Sequence, residues 1–122
     1  SGRLINPTIV EGQITGGATH GLGCALFERM IYDDQGQPQT TNFGEYLLPS
    51  APEVPFYDIV HMESPTPLNP LGVKGAGEGG TIPVTSAIAS AVDDALSDFD
   101  VVIRDLPIEP QKIVEMIREN AA

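Results

Sequence analysis

The stretch GVKGAGEGG, residues 72–80, sets one carboxylate, Glu78, and one ammonium, Lys74, among five glycines. Glycine at that density weakens helix and strand alike, so the segment is a loop whose backbone amides are uncovered. Uncovered amides can converge on one anionic or oxo-rich group, and Lys74 adds a full positive charge. An Ala-rich helical stretch follows and brings the positive end of its dipole. A glutamate held in such a cradle, crowded and partly dried, has the setting of a general base. A mobile flap with a solvated glutamate is the other reading, and the residues alone leave both open.

Two familiar phosphate-binding motifs do not fit. Gly75, Gly77 and Gly80 match G-x-G-x-x-G, but the approach is SPTPLNPLGVK, whose prolines are hostile to the buried strand that a dinucleotide fingerprint requires. A P-loop needs Gly-Lys-Ser/Thr, whereas Lys74 precedes the glycines.

The elements that must position this loop come next. EGQITGGATHGLGCALFERM, residues 11–30, reads as a helix in its second half, where Leu22, Ala25, Leu26 and Met30 recur at helical spacing. Gly12, Gly16, Gly17, Gly21 and Gly23 each cost about 1 kcal/mol relative to Ala inside a helix, so something must offset them. Gly12 with Gly16, and Gly17 with Gly21, leave a strip of bare backbone that admits a neighbouring backbone or a ligand. Residues 30–43 read as a hairpin around Asp34-Gln35-Gly36, 56–64 as a strand, and DVVIRDLPI as a last strand. Val84, Ala87, Ile88, Ala91, Val92, Ala95 and Leu96 form a helical stripe, with Thr81 as N-cap and Pro83 in the first turn. Pro110 opens a final helix to Arg118. The expected fold is α/β (or α+β), a small mixed sheet with packed helices, over a single domain spanning residues 1–122.

Composition narrows the function. The chain has 122 residues and a net charge of −11, which argues against nucleic acid and against anionic membrane surfaces. The single cysteine, Cys24, excludes a disulfide framework and a Cys-rich metal site, and reads as a small buried apolar residue. No apolar run is long enough to span a bilayer. A cytoplasmic protein is expected.

The loop and two further blocks carry a family resemblance. GVKGAGEGG, preceded by SPTPLNPL and followed by the Ala-rich helix, resembles the C-terminal signature of molybdenum hydroxylase large subunits. These include xanthine dehydrogenase, aldehyde oxidoreductase and aerobic carbon monoxide dehydrogenase, and the likeness is strongest to the carbon monoxide dehydrogenase branch. GRLINPTIVEGQITGGATHGLGCALFE, EYLLP and IEPQKIVEMI resemble other parts of the same region, so the match runs from Gly2 to about Ile117.

The resemblance implies that Glu78 is the family's active-site base, which deprotonates a hydroxyl on molybdenum before it attacks an electron-poor carbon. It implies that Lys74, Gly75, Ala76 and Gly77 wrap a molybdopterin cofactor, in a cytosine dinucleotide form, and that Gln13 hydrogen-bonds the pterin. It assigns no protein ligand to the metal. The implied activity is oxidation of a small aldehyde, an N-heterocycle or carbon monoxide with water as the oxygen source. Electrons would leave through 2Fe-2S and FAD sites on iron–sulfur and flavin partner chains, because no cysteine cluster here can hold a cluster.

His20 stands where the family usually has glutamine, Arg29 where a second acid is common, and Glu45 where Asp is usual. The family's subunit is several times longer, and its absent part holds most of the metal pocket. The chain is therefore expected to be a C-terminal segment of such a subunit, inactive and without bound cofactor by itself. A stand-alone, non-catalytic domain used in assembly or cofactor handling is the competing reading.

Overall fold

The computed structural model describes residues 1–121. Three α-helices dominate them: α1 (Pro7–Leu26), α2 (Val84–Ala95) and α3 (Pro110–Asn120), with a 3₁₀ turn at Ser97–Phe99. The expected α/β sheet is not formed. Among the described residues, β pairing is limited to two isolated bridges, Gly2 with Val73 and Tyr32 with Pro38.

The expected hairpin over 30–43 is reduced to its turn and one bridge beside it. The Asp33 carboxylate accepts from the Gln35 and Gln37 N–H groups at 2.9 Å each, and the Asp33 N–H donates to the Gln37 carbonyl at 2.9 Å. The pairing goes one step further, with Tyr32 opposite Pro38 and the Gln39 N–H donating to the Ile31 carbonyl at 2.7 Å, and among the described residues no third strand lies alongside. The expected strand over 56–64 is extended but makes no backbone hydrogen bond among the described residues. The last expected strand lies across α2 instead of pairing: the Ile103 N–H donates to the Asp93 carboxylate at 2.6 Å. In each case the side-chain pattern was that of a strand, but nothing among the described residues supplies the neighbouring strand of a sheet.

Helix α1 runs further than its periodicity suggests. Asn6 caps it by accepting from the Ile9 N–H at 3.2 Å, and Pro7 takes the first turn, where its missing N–H costs nothing. All five glycines between Gly12 and Gly23 lie inside the helix. They divide by what surrounds them. A Cβ on Gly17 would meet Thr81 Oγ1 at 2.9 Å and Thr81 N at 3.0 Å, and one on Gly21 would meet Val84 Cβ at 2.8 Å. The missing side chains thus let the start of α2 seat directly on α1, and the Thr85 hydroxyl donates to the Gly21 carbonyl at 3.4 Å. Gly12 and Gly16, by contrast, face open space, with no atom within 4 Å of an added Cβ. Half of the glycine strip is used for packing and half is left bare.

That division has a direct test. Gly16→Ala should stabilise this chain by up to about 1 kcal/mol, the propensity difference between the two residues, because nothing opposes the added methyl. Gly17→Ala, one residue on, should destabilise it. Thermal melts of both variants check the opposite signs.

Helix α2 begins at Val84 with Pro83 as its cap residue and no side-chain cap, so Thr81 is not the N-cap. Thr81 is instead bonded backward, its N–H donating to the Glu78 carbonyl at 3.0 Å. The α2 stripe is only half covered: Val84, Ile88 and Val92 are partly buried, while Ala87, Ala91 and Ala95 are exposed. Helix α3 opens at Pro110 as expected. Arg29 donates to both carboxylate oxygens of Glu109, at 2.8 and 3.0 Å, tying the end of α1 to the start of α3. The Arg29 guanidinium holds the Glu109 carboxyl below its ordinary range.

The buried hydrophobic residues are small or few: Ala18, Ala25, Val101 and Ile108. Large apolar side chains lie outside instead, including Phe43, Phe56, Val60, Met62 and Leu68. No helix among the described residues is long and apolar enough to cross a membrane.

Candidate functional site

Loop 72–80 is clamped at both ends and open in the middle. Before it, Asn69 grips Val73 from both sides: its amide donates to the Val73 carbonyl at 3.0 Å, and its carbonyl accepts from the Val73 N–H at 3.1 Å. The N-terminal residues lie along the same stretch, with the Arg3 N–H donating to the Gly72 carbonyl at 3.0 Å and the Lys74 N–H to the Ser1 carbonyl at 3.1 Å. Beyond the loop, the Thr81 and Ile82 N–H groups close on the Glu78 carbonyl at 3.0 and 3.1 Å. Gly80 is pressed against α1, where a Cβ would overlap the Ile14 carbonyl oxygen. Between these clamps Gly75, Gly77 and Gly79 have no atom within 4 Å of an added Cβ.

Gln13 reaches the loop from α1, donating through Nε2 to the Gly77 carbonyl at 2.7 Å. The contact joins residues 64 positions apart and brings two of the sequence-derived site residues together. It leaves the Gln13 carbonyl oxygen as an acceptor. Lys74 is turned the other way, its ammonium donating to the Ser64 hydroxyl at 3.0 Å. Glu78 is exposed. The dry setting expected of it is not built by this chain, and any covering must come from outside these residues.

A cleft of about 270 Å³ opens between Gly75, Ala76 and Gly79 on one side and Val10 and Ile14 of α1 on the other. His61 and Glu63 also line it, and His61 Nε2 lies 3.3 Å from Glu11 Oε1. Sequence reasoning missed His61 and Glu11 as neighbours of the loop. The alternating run FYDIVHMES gave no sign that its histidine would come to α1.

Of the departures from the family pattern, His20 lies on α1, Arg29 just beyond its end and Glu45 in the loop that follows. Cys24 is half-buried, and its burial, followed by the nearby Glu28, pushes the thiol pKa up. Tyr46 donates its hydroxyl proton to Glu28 Oε2 at 2.6 Å, and that bond raises the Tyr46 pKa.

The bare glycines and the inward-reaching amide have the character of a surface made for a flat polar ligand, and a molybdopterin fits that demand. Gly75, Gly77 and Gly79 leave open space beside the backbone, and the Gln13 carbonyl oxygen is left as an acceptor of the kind that a pterin edge would use.

Residues 1–55 match the family model described as molybdopterin cofactor-binding domain. The nicotine 6-hydroxylase large subunit of Paenarthrobacter nicotinovorans is 47% identical over 113 residues, which is 93% of this chain and 14% of that protein. The carbon monoxide dehydrogenase large chain of Hydrogenophaga pseudoflava is 34% identical over 98% of this chain and 15% of its own length. The crystal structure of quinoline 2-oxidoreductase from Pseudomonas putida 86 superimposes with a TM-score of 0.93 at 47% identity, covering 97% of this chain and 15% of that one. Over nearly its whole length the chain is thus similar to one segment of the large subunits of these enzymes, and residues 1–55 match a molybdopterin cofactor-binding domain. It spans about one seventh of the length of the relatives that it matches.

Proposed function

We propose that loop 72–80 and Gln13 form one wall of the molybdenum cofactor site of a hydroxylase large subunit. The subunit would oxidise a small N-heterocycle, an aldehyde or carbon monoxide, with water as the oxygen source. Identity of 47% to the nicotine and quinoline enzymes, against 34% to the carbon monoxide dehydrogenase chain, favours the N-heterocycle within that set. The observation that carries the reading is the Gln13–Gly77 hydrogen bond, which sets a side-chain amide and a glycine backbone edge beside one open space.

The cofactor, when bound, supplies the hydroxylating and electron-accepting chemistry. This chain's residues do the rest. Gln13 fixes the middle of the loop and turns its carbonyl oxygen to the pterin. Along Lys74, Gly75, Ala76 and Gly77 the loop carries little side-chain bulk beyond Lys74, whose ammonium is held at Ser64, so the backbone can follow the cofactor closely. Glu78 takes up the proton released as the oxygen nucleophile forms. The cofactor is read as a cytosine dinucleotide form, and the rest of the large subunit covers the open side of the cleft. Iron–sulfur and flavin subunits carry the electrons away, in the cytoplasm.

Gln13→Ala in a large subunit carrying this segment tests the wall. It removes both the loop contact and the acceptor, at a cost of about 1 kcal/mol, and more if a buried partner is left unpaired. Molybdenum content after stringent dialysis should fall. Unchanged content would remove Gln13 from the site.

A further inference from the structure

Helix α1 presents His20 and Cys24 one turn apart, and the reversal that ends it returns Glu28 over the same face. A ring nitrogen of His20, the Cys24 sulfur and a carboxylate oxygen of Glu28 all lie within 4.8 Å of one another. The reversal is specifically built. The Phe27 and Glu28 N–H groups both donate to the Gly23 carbonyl at 2.9 Å. Gly23 has no side chain to hold Glu28 off: a Cβ there would meet Glu28 Oε1 at 2.5 Å. Tyr46 fixes the other carboxylate oxygen, donating to Oε2 at 2.6 Å. None of these residues touches loop 72–80, and His20 lies about 10 Å along α1 from Gln13 at 1.5 Å per residue.

We propose that His20, Cys24 and Glu28 form a binding site for a borderline-soft divalent cation, with Zn²⁺ as its occupant, separate from the molybdenum site. One thiolate, one imidazole and one carboxylate match the ligand preferences of Zn²⁺ and leave a fourth position for water. Bonds of about 2.0–2.3 Å to a tetrahedral ion put ligand atoms roughly 3.5 Å apart. Each pair here therefore has to draw in by at most about 1.3 Å. The exposed His20 side chain can supply that movement for its two pairs, and rotation of the Cys24 thiol or the Glu28 carboxylate for the third. Tyr46 acts as the outer partner that holds the ligating carboxylate in place. On binding, the Cys24 S–H bond gives its proton to solvent and a sulfur–metal bond forms, with no change of oxidation state.

The test is a Co²⁺ titration of the reduced 122-residue chain, followed by Zn²⁺ competition. The expected result is one equivalent of Co²⁺ bound with a thiolate-to-cobalt charge-transfer band and the strong visible absorption of a four-coordinate ion, both abolished by Zn²⁺. Cys24→Ser should remove the charge-transfer band. His20→Gln and Glu28→Gln should each weaken Co²⁺ binding at least ~10-fold, and Tyr46→Phe by about 10-fold through the outer sphere. Because His20 is exposed, His20→Gln keeps the helix, which far-UV circular dichroism checks. A chain that shows no charge-transfer band overturns the proposal. So does a band that persists with unchanged affinity in both His20→Gln and Glu28→Gln, since the thiol would then bind cobalt by itself.

Discussion

Glu78→Gln, in a large subunit carrying this segment, is expected to lower turnover at least ~10²-fold while leaving molybdenum content near normal. The glutamine keeps the size and shape of the side chain and removes only the proton acceptor. The loop's fixed points do not involve the Glu78 carboxylate: Thr81 and Ile82 hold its backbone carbonyl, Asn69 holds Val73, and Gln13 holds Gly77. Cofactor retention and proton transfer should therefore separate. Glu78→Asp should also be poor, because one methylene fewer withdraws the carboxylate by about an ångström from a position that has to be met closely. The deciding measurement is the rate of cofactor reduction by substrate in a single turnover, which isolates chemistry from product release. Reduction of the Glu78→Gln enzyme at the unmodified rate would take the base assignment away from this residue.

The second large effect is on the fold. Gly80→Ala should destabilise the chain by about 1–3 kcal/mol, the usual range for forcing an extra carbon into a packed contact. The added methyl would run into the Ile14 carbonyl, which is backbone inside a helix and has no rotamer to escape to. The loop has to lift off α1, and the Gln13–Gly77 bond a turn away should be lost with it. Gly77→Ala is the matched control, since its added methyl enters open space and should leave stability near that of the parent. Denaturant midpoints of the two variants give the comparison, with amide exchange at Thr81 and Ile82 reporting whether the loop has lifted. Equal midpoints would mean that the close approach at Gly80 contributes nothing.

Some of this was legible in the sequence and some was not, and the division follows locality. Pro110 marked the start of α3 and the 84–96 stripe marked α2, because both signals lie within the helices that they describe. Asn6-Pro7 was an equally local start signal for α1, but the run of glycines hid it, since their cost is offset by α2 packing that no local pattern reveals. The candidate strands had the right alternation and no partners, so period-2 patterning described a face without describing a sheet. At the site, Gln13 and loop 72–80 were named together only through the resemblance. The hydrogen bond that joins them links residues 64 positions apart, which no spacing rule would connect. His61 at the cleft is the same kind of miss, with Glu11 50 positions away. Of the two settings that the residues left open for Glu78, crowded and partly dry or solvated, it is exposed among the described residues.

The extended segment 54–64 has a consequence for handling the chain. Its amides and carbonyls make no backbone hydrogen bonds among the described residues, and Phe56, Val60 and Met62 project from it fully or nearly uncovered. The Tyr57 hydroxyl is buried without a partner. Such a ribbon is a template for any strand that comes within reach, including the same ribbon of another molecule. In a concentrated solution of this chain the template is filled by collision, and only the mutual repulsion of molecules carrying a net charge of −11 opposes that pairing. Salt, which shortens the reach of that repulsion, or acid, which removes the charge, should turn the ribbon from a dormant edge into an adhesive one.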